Sequence, residues 1–296
     1  MSTSFRGVTT GLFPLFAGAV VACSAAPETA EVVESADCPS DQVVESYVAD
    51  WQAARPTMPL AAGGTLDDAF CSQQKLVQML TSSLGAPVGY KAGLTSAAAQ
   101  EAFGVTEPVR GVLLEGMLVE SGAEVPATFG ARPRFEADMI LVVADEAINQ
   151  ATTIEQVLAN VSQIIPFIEL PDLSVAEGET LDGTVMTAIN VASRSGVLGN
   201  PIPVQQTPEF LEALAEMSVR LTDQNGEVLM SAPGSAILGH PLNSVLWLLE
   251  SGVRAETGDY LSLGSFGTLL VPEAGQTITL TYDGLAGGPS STVTFR

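Results

Sequence analysis

The stretch Arg134-Phe135-Glu136-Ala137-Asp138-Met139-Ile140-Leu141-Val142-Val143 limits the fold more than any other part of the chain. With a side-chain period of two it reads as a strand, so Glu136 and Asp138 share one face while Phe135, Ala137, Met139 and Leu141 take the other. Ile140 and Val142 continue the carboxylate side, so that face also enters an apolar interior. Two acids in one partly buried spot repel and lose water, and both stay ionised only beside a cation. A hard divalent cation taking oxygen ligands is the natural partner. The competing reading is a half-exposed edge strand whose acids are simply solvated.

The 296 residues, 46% of them hydrophobic, are enough for a full core in one large domain or two small ones. A formal net charge of −23 argues against nucleic acid as a partner. Such acidity suits a saline or extracellular setting. At the N-terminus, Arg6 precedes an apolar run from Gly11 to Ala22 that is short for a membrane span. Val20-Val21-Ala22-Cys23 resembles a bacterial lipobox, which implies cleavage before Cys23 and lipid attachment to its thiol. The chain would then sit at the periplasmic face of the cell envelope, and Ser24 in place of Asp points to the outer membrane. An ordinary secreted protein cut nearby is the alternative, and both lie outside the cytoplasm. In an oxidising compartment Cys38 and Cys71 most simply form a disulfide, two buried thiols being the other choice. The expected division is a leader over 1–22, a flexible, acidic, proline-containing tether over 23–38, and a folded domain over 39–296.

Within that domain, Asp41 to Ala54 has helical spacing. Thr65-Leu66-Asp67-Asp68 opens a helix that runs to Leu84 and ends at Gly85. Gly89 to Leu94 is strand-like, and Thr95 or Ser96 caps a helix that stops at Gly104. Thr153-Ile154-Glu155-Gln156 predicts a capping box for a helix to about Ser162. Ile164 to Leu170 is apolar except for Glu169. Asn225-Gly226 predicts a hairpin, and Pro241 a helix start. Helices dominate the first half and strands the second, without internal repeats, so the class is α+β.

Four stretches in register resemble the 2-keto-4-pentenoate hydratase branch of the fumarylacetoacetate hydrolase superfamily. They are Gly89-Tyr90-Lys91-Ala92-Gly93-Leu94-Thr95, Pro133-Arg134-Phe135-Glu136-Ala137-Asp138, Leu238-Gly239-His240-Pro241-Leu242-Asn243 and Thr257-Gly258-Asp259-Tyr260-Leu261. The resemblance implies a mixed β-roll with an N-terminal helical portion, a possible homo-oligomer holding Mg²⁺ or Mn²⁺. The metal ligands would be Glu136, Asp138 and Glu169. A small 2-oxo or 2-hydroxydienoic acid would react through a metal-stabilised enolate, with Lys91 as proton shuttle or electrostatic partner. Gly264 and Ser265 would place amides near the substrate carboxylate. Hydration is the first expectation; decarboxylation and C–C cleavage are alternatives, as is a non-catalytic protein that binds small carboxylates or protein partners.

The chain also departs from the pattern. Asp138 stands where the family has Glu, one methylene shorter, so a bridging water would have to span the shortfall. Val109 and Ile189 occupy positions at which hydratases carry acids, and Glu115 and Arg110 are the candidate replacements. His240, the sole histidine, reads as structural, since it has neither a Cys nor a His partner for zinc or a triad. Arg132 and Arg134 flank the carboxylate strand and read as solvated charges.

Overall fold

The computed structural model describes residues 38–296, so the leader, Cys23 and the tether before Cys38 lie outside the described residues. The first helix, α1 (Asp41–Gln52), buries Val44, Tyr47 and Trp51, spaced three and four apart. Thr65 caps α2 (Leu66–Leu84) as its sequence predicts: the Thr65 hydroxyl accepts from the Asp68 amide, and the Asp68 carboxylate accepts from the Thr65 amide. Gly85 ends it at a φ of 80°. Cys38 and Cys71 are joined by a disulfide, their Cα atoms 5.8 Å apart, which ties the start of the domain to α2.

Strand β1 (Pro87–Gly93) leads into α3 (Ala97–Ala102), capped by the Ser96 hydroxyl, and then into β2 (Val109–Leu114), β3 (Leu118–Glu120) and β4 (Ala123–Val125). The carboxylate strand is β5 (Glu136–Val143). The following helix, α4 (Ile154–Ala159), ends earlier than predicted because β6 (Val161–Leu170) has already begun. Pairing with β5 reaches back to Val161, so sheet register overrides local helical preference there. The Gln156 side chain bonds the amide of Thr152 rather than Thr153, so the predicted reciprocal box is not closed.

Next come α5 (Gly183–Ala188), β7 (Ser195–Leu198), β8 (Ile202–Pro203) and α6 (Pro208–Glu216). The Asn225-Gly226 hairpin joins β9 (Ser218–Thr222) to β10 (Val228–Pro233). Helix α7 (Asn243–Glu250) starts two residues after Pro241, because the Leu242 amide first donates to His240 Nδ1 at 3.1 Å. The chain closes with β11 (Tyr260–Ser262), β12 (Thr277–Asp283) and β13 (Ser290–Phe295).

These strands make two sheets. The larger runs β2-β1-β11-β5-β6-β7-β3, with β8 added beside β6; the smaller runs β10-β9-β12-β13-β4. Parallel pairs (β1 with β11, β3 with β7, β4 with β13) mix with antiparallel ones. The α+β class and its helical N-terminal portion are as expected. The main core packs Ala137, Met139 and Leu141 of β5 against Leu221, Leu280 and Phe295 of the smaller sheet. On the other face of β5, Ile140 packs with Ile165 and Phe167, as alternation predicts. Helices α1, α2 and α5 make a second apolar cluster against β2, and the candidate site lies beside it.

Candidate active site

Strands β5 and β6 pair antiparallel with Glu136 directly opposite Glu169, which puts two carboxylates side by side at the end of the sheet. Lys91, on β1, is buried and its ammonium forms an ion pair with Glu169. The same ammonium donates to the Val191 carbonyl at 3.3 Å. That carbonyl comes from a strained run: Asn190, Val191 and Ala192 have φ of 56°, 56° and 53°. The Asn190 side chain holds the run by bridging both backbone groups of Val112, at 2.7 and 2.9 Å.

Lys91, Glu136, Glu169, Thr95 and Ser265 all line one cavity of about 350 Å³. Its remaining wall is mostly apolar, with Leu94, Phe103, Leu173, Met186, Val191 and Leu269. Burial pushes the Glu136 carboxyl well above the ordinary glutamate range, and the charge of Glu169 pushes it further. Asp138 is likewise raised, to about 7, first by burial and then by Glu169.

Asp138 shares the face expected of it but is held back from the cavity. It accepts hydrogen bonds from the Ser262 hydroxyl, from the Gly264 amide at 2.9 Å and from its neighbour Met139 at 2.5 Å. Tyr282 donates to its backbone carbonyl. Among the described residues, no three His, Cys, Asp or Glu side chains converge closely enough to hold an ion by themselves. The three carboxylates expected as ligands divide here: Glu136 and Glu169 line the cavity, while the shorter Asp138 is engaged by protein donors. The amide of Gly264 donates to Asp138. Ser265 does line the cavity and also closes a turn onto Gly267.

The other weighed residues lie elsewhere. His240 Nε2–H donates to the Leu211 carbonyl at 3.1 Å, and burial lowers the ring's pKa, which fits its structural reading. Arg110 stacks on Phe70 and donates to the Ser251 carbonyl. Glu115 is exposed, and Arg132 and Arg134 donate to the backbone carbonyls of Leu173 and Pro133; none of the four lines the cavity. Val109 and Ile189 are buried in the second apolar cluster. Sequence reasoning missed the roles of Thr95, Ser262 and the Val191 carbonyl. Thr95 carries a signal, its place in the Lys91 stretch, although its residue type there also suits a helix cap.

The donor chemistry of Glu136 and Glu169 fits a hard divalent cation: two adjacent, mutually repelling carboxylates, one buried and one half-buried, open onto space for further ligands. No family model matches the chain. It is 31% identical over 231 residues to a 4-oxalocrotonate decarboxylase of Pseudomonas sp. strain CF600, spanning 75% of this chain and 83% of the relative. It is also 31% identical over 202 residues to a 2-keto-4-pentenoate hydratase of Paraburkholderia phymatum, spanning 67% of this chain and 75% of the relative. Among solved structures, 4-oxalocrotonate decarboxylase from Pseudomonas putida G7, complexed with magnesium and adipate, superposes with a TM-score of 0.74 at 23% identity. That match covers 86% of this chain and 97% of the other. The architecture is thus the mixed roll of the fumarylacetoacetate hydrolase superfamily. Within it, the chain belongs to the family of 2-keto-4-pentenoate hydratases and 4-oxalocrotonate decarboxylases.

Proposed function

We propose that this protein is a divalent-metal-dependent lyase that enolises a small 2-oxo or 2-hydroxydienoic acid, with hydration as its net reaction. Mg²⁺ or Mn²⁺ would be held by Glu136 and Glu169. Bound there, the ion supplies Lewis acidity to the carboxylate and keto oxygens of the acid. The observation that carries the reading is the cluster of buried Lys91 and Glu169 with half-buried Glu136 on the wall of one cavity. Charge balance supports it. Ionised Glu136, Glu169 and a substrate carboxylate bring three negative charges, of which Lys91 offsets one and a divalent cation the other two.

Lys91 is the one basic side chain on the cavity wall, so its ammonium is assigned the electrostatic stabilisation of the enolate and the return of a proton to C3 of the acid. The Val191 carbonyl and Glu169 fix its ammonium in place. Ser265 lies close to Glu136 on the same wall. The apolar wall excludes water, which strengthens each of these charge contacts.

Burial of Val109 and Ile189 in an apolar cluster favours a second reading, a protein that binds small carboxylates without turning them over. Proton–deuterium exchange at C3 of 2-oxopentanoate, followed by NMR in heavy water with Mg²⁺, separates the two. Exchange that requires Mg²⁺ and disappears in Lys91→Ala upholds the lyase. Binding of the acid without exchange above the metal-only control upholds the second reading.

A further inference from the structure

Thr95 is 3% exposed, lines the cavity, and its Oγ1 has no hydrogen-bond partner among the described residues. A buried hydroxyl without a partner costs stability, and folded chains seldom keep one without a use. The neighbouring Ser96 is already committed, its hydroxyl accepting from the Ala99 amide at 3.2 Å. Thr95 therefore retains a free donor beside Lys91 and the paired glutamates. The helical side of the same cavity offers no match for a charge. Ala98, Ala99 and Phe103 at α3 and Met186 of α5 face it, and Lys91, already paired with Glu169, is the one cation on its wall.

From this we infer that the cavity takes a 2-oxo monocarboxylate with an uncharged, apolar tail and rejects 2-oxo dicarboxylates, and that the Thr95 hydroxyl donates a hydrogen bond to the oxygen-bearing head of that ligand. The inference rests on the enolising reading above and narrows its substrate class. A second carboxylate at the far end of the ligand would lose its water and meet Leu94, Phe103, Met186 or Leu269, with no cation to replace that water. A methyl in the same place loses nothing and buries apolar surface.

The test is calorimetric binding of 2-oxohexanoate and 2-oxoadipate to the full chain with Mg²⁺. The two acids differ only in a methyl against a carboxylate at C6. The expected result is a preference of about ten- to a hundredfold for 2-oxohexanoate, the range for one buried, unpaired charged group. Thr95→Val keeps the shape and removes the hydroxyl. It is expected to weaken 2-oxohexanoate about two- to tenfold while leaving the melting temperature unchanged, because no protein hydrogen bond is lost. Leu269→Arg, at a half-buried position on the wall, is expected to narrow the preference by strengthening 2-oxoadipate. Equal affinities, a preference for the diacid, binding of neither acid, or unchanged binding by Thr95→Val each overturns the inference. Failure of the enolising reading shows separately, as selective binding without C3 exchange.

Discussion

Glu136 and Glu169 are register partners on adjacent antiparallel strands, and the ammonium that pairs with Glu169, Lys91, belongs to a third strand that is hydrogen-bonded to neither of theirs. Lys91 therefore does the work of a counter-ion when no metal is bound. Lys91→Met is expected to lower the stability of the metal-free protein by about 3–5 kcal/mol, the cost of a buried charge left alone. Mg²⁺ should then raise the melting temperature of Lys91→Met more than that of the native chain, since the ion restores what the ammonium supplied. Glu136→Gln is expected to abolish the rise by removing one carboxylate. Thermal melts of the three proteins with and without Mg²⁺ check this, and equal shifts in all three would dismiss the paired-glutamate site.

Asp138 makes a pH signature. Its carboxyl is raised from an ordinary value of 3.8 to about 7 by burial and by Glu169, so the folded state holds the proton more tightly than the unfolded state. Its contribution to stability is complete below the unfolded value and is lost as pH rises toward about 7, where the folded group also ionises. Asp138→Asn lacks this loss and can keep accepting from Gly264 and Met139. Measured without metal, its stability relative to the native chain should climb between about pH 4 and 7 and level off above. A flat difference would show that Asp138 ionises normally.

Gly89 and Gly93 bracket Lys91 on β1, and each allows a close approach. At Gly93 a Cβ would overlap Val191 Cγ1, and Val191 supplies the carbonyl that holds Lys91. Gly93→Ala is expected to cost about 1–3 kcal/mol, typical of overpacking, and to slow C3 exchange by displacing the Val191 carbonyl. At Gly89, with φ of 152°, a Cβ would fall on the Tyr260 carbonyl across the parallel β1–β11 pair. Gly89→Ala should therefore be the more damaging of the two in a thermal melt, because backbone cannot yield as a side chain can.

What could be read in advance follows the range of the interaction. Alternation along 134–143 was enough to place Glu136 and Asp138 on one face, and local capping chemistry was enough for Thr65 and narrowed the next cap to Thr95 or Ser96, of which Ser96 serves. The pairing of Glu136 with Glu169 joins residues from separate strands, and only their register settles it. The donors that hold Asp138 back, Ser262 and Gly264, lie more than a hundred residues downstream on and after β11. Nor does Asn190-Val191-Ala192 advertise its left-handed backbone. It contains no glycine and includes a β-branched residue, so local propensity points the wrong way.

The Cys38–Cys71 bond closes a loop with a sequence separation of 33 and anchors α2, which in turn supports the site. From α2, Gln73 donates to the Arg110 carbonyl at 2.8 Å and the Thr187 carbonyl at 2.7 Å, linking the helix to β2 and α5. In the chain-entropy account, losing such a bond costs about 3–4 kcal/mol. For a domain of this size that corresponds to a fall of roughly 10 °C in melting temperature. Replacing both cysteines by serine is expected to show this fall, with the exchange rate at 25 °C little changed. The Gln73 links do not depend on the disulfide, and the bond acts mainly on the unfolded chain. A large loss of exchange at a temperature where the variant is fully folded would instead show that the bond positions the site through α2.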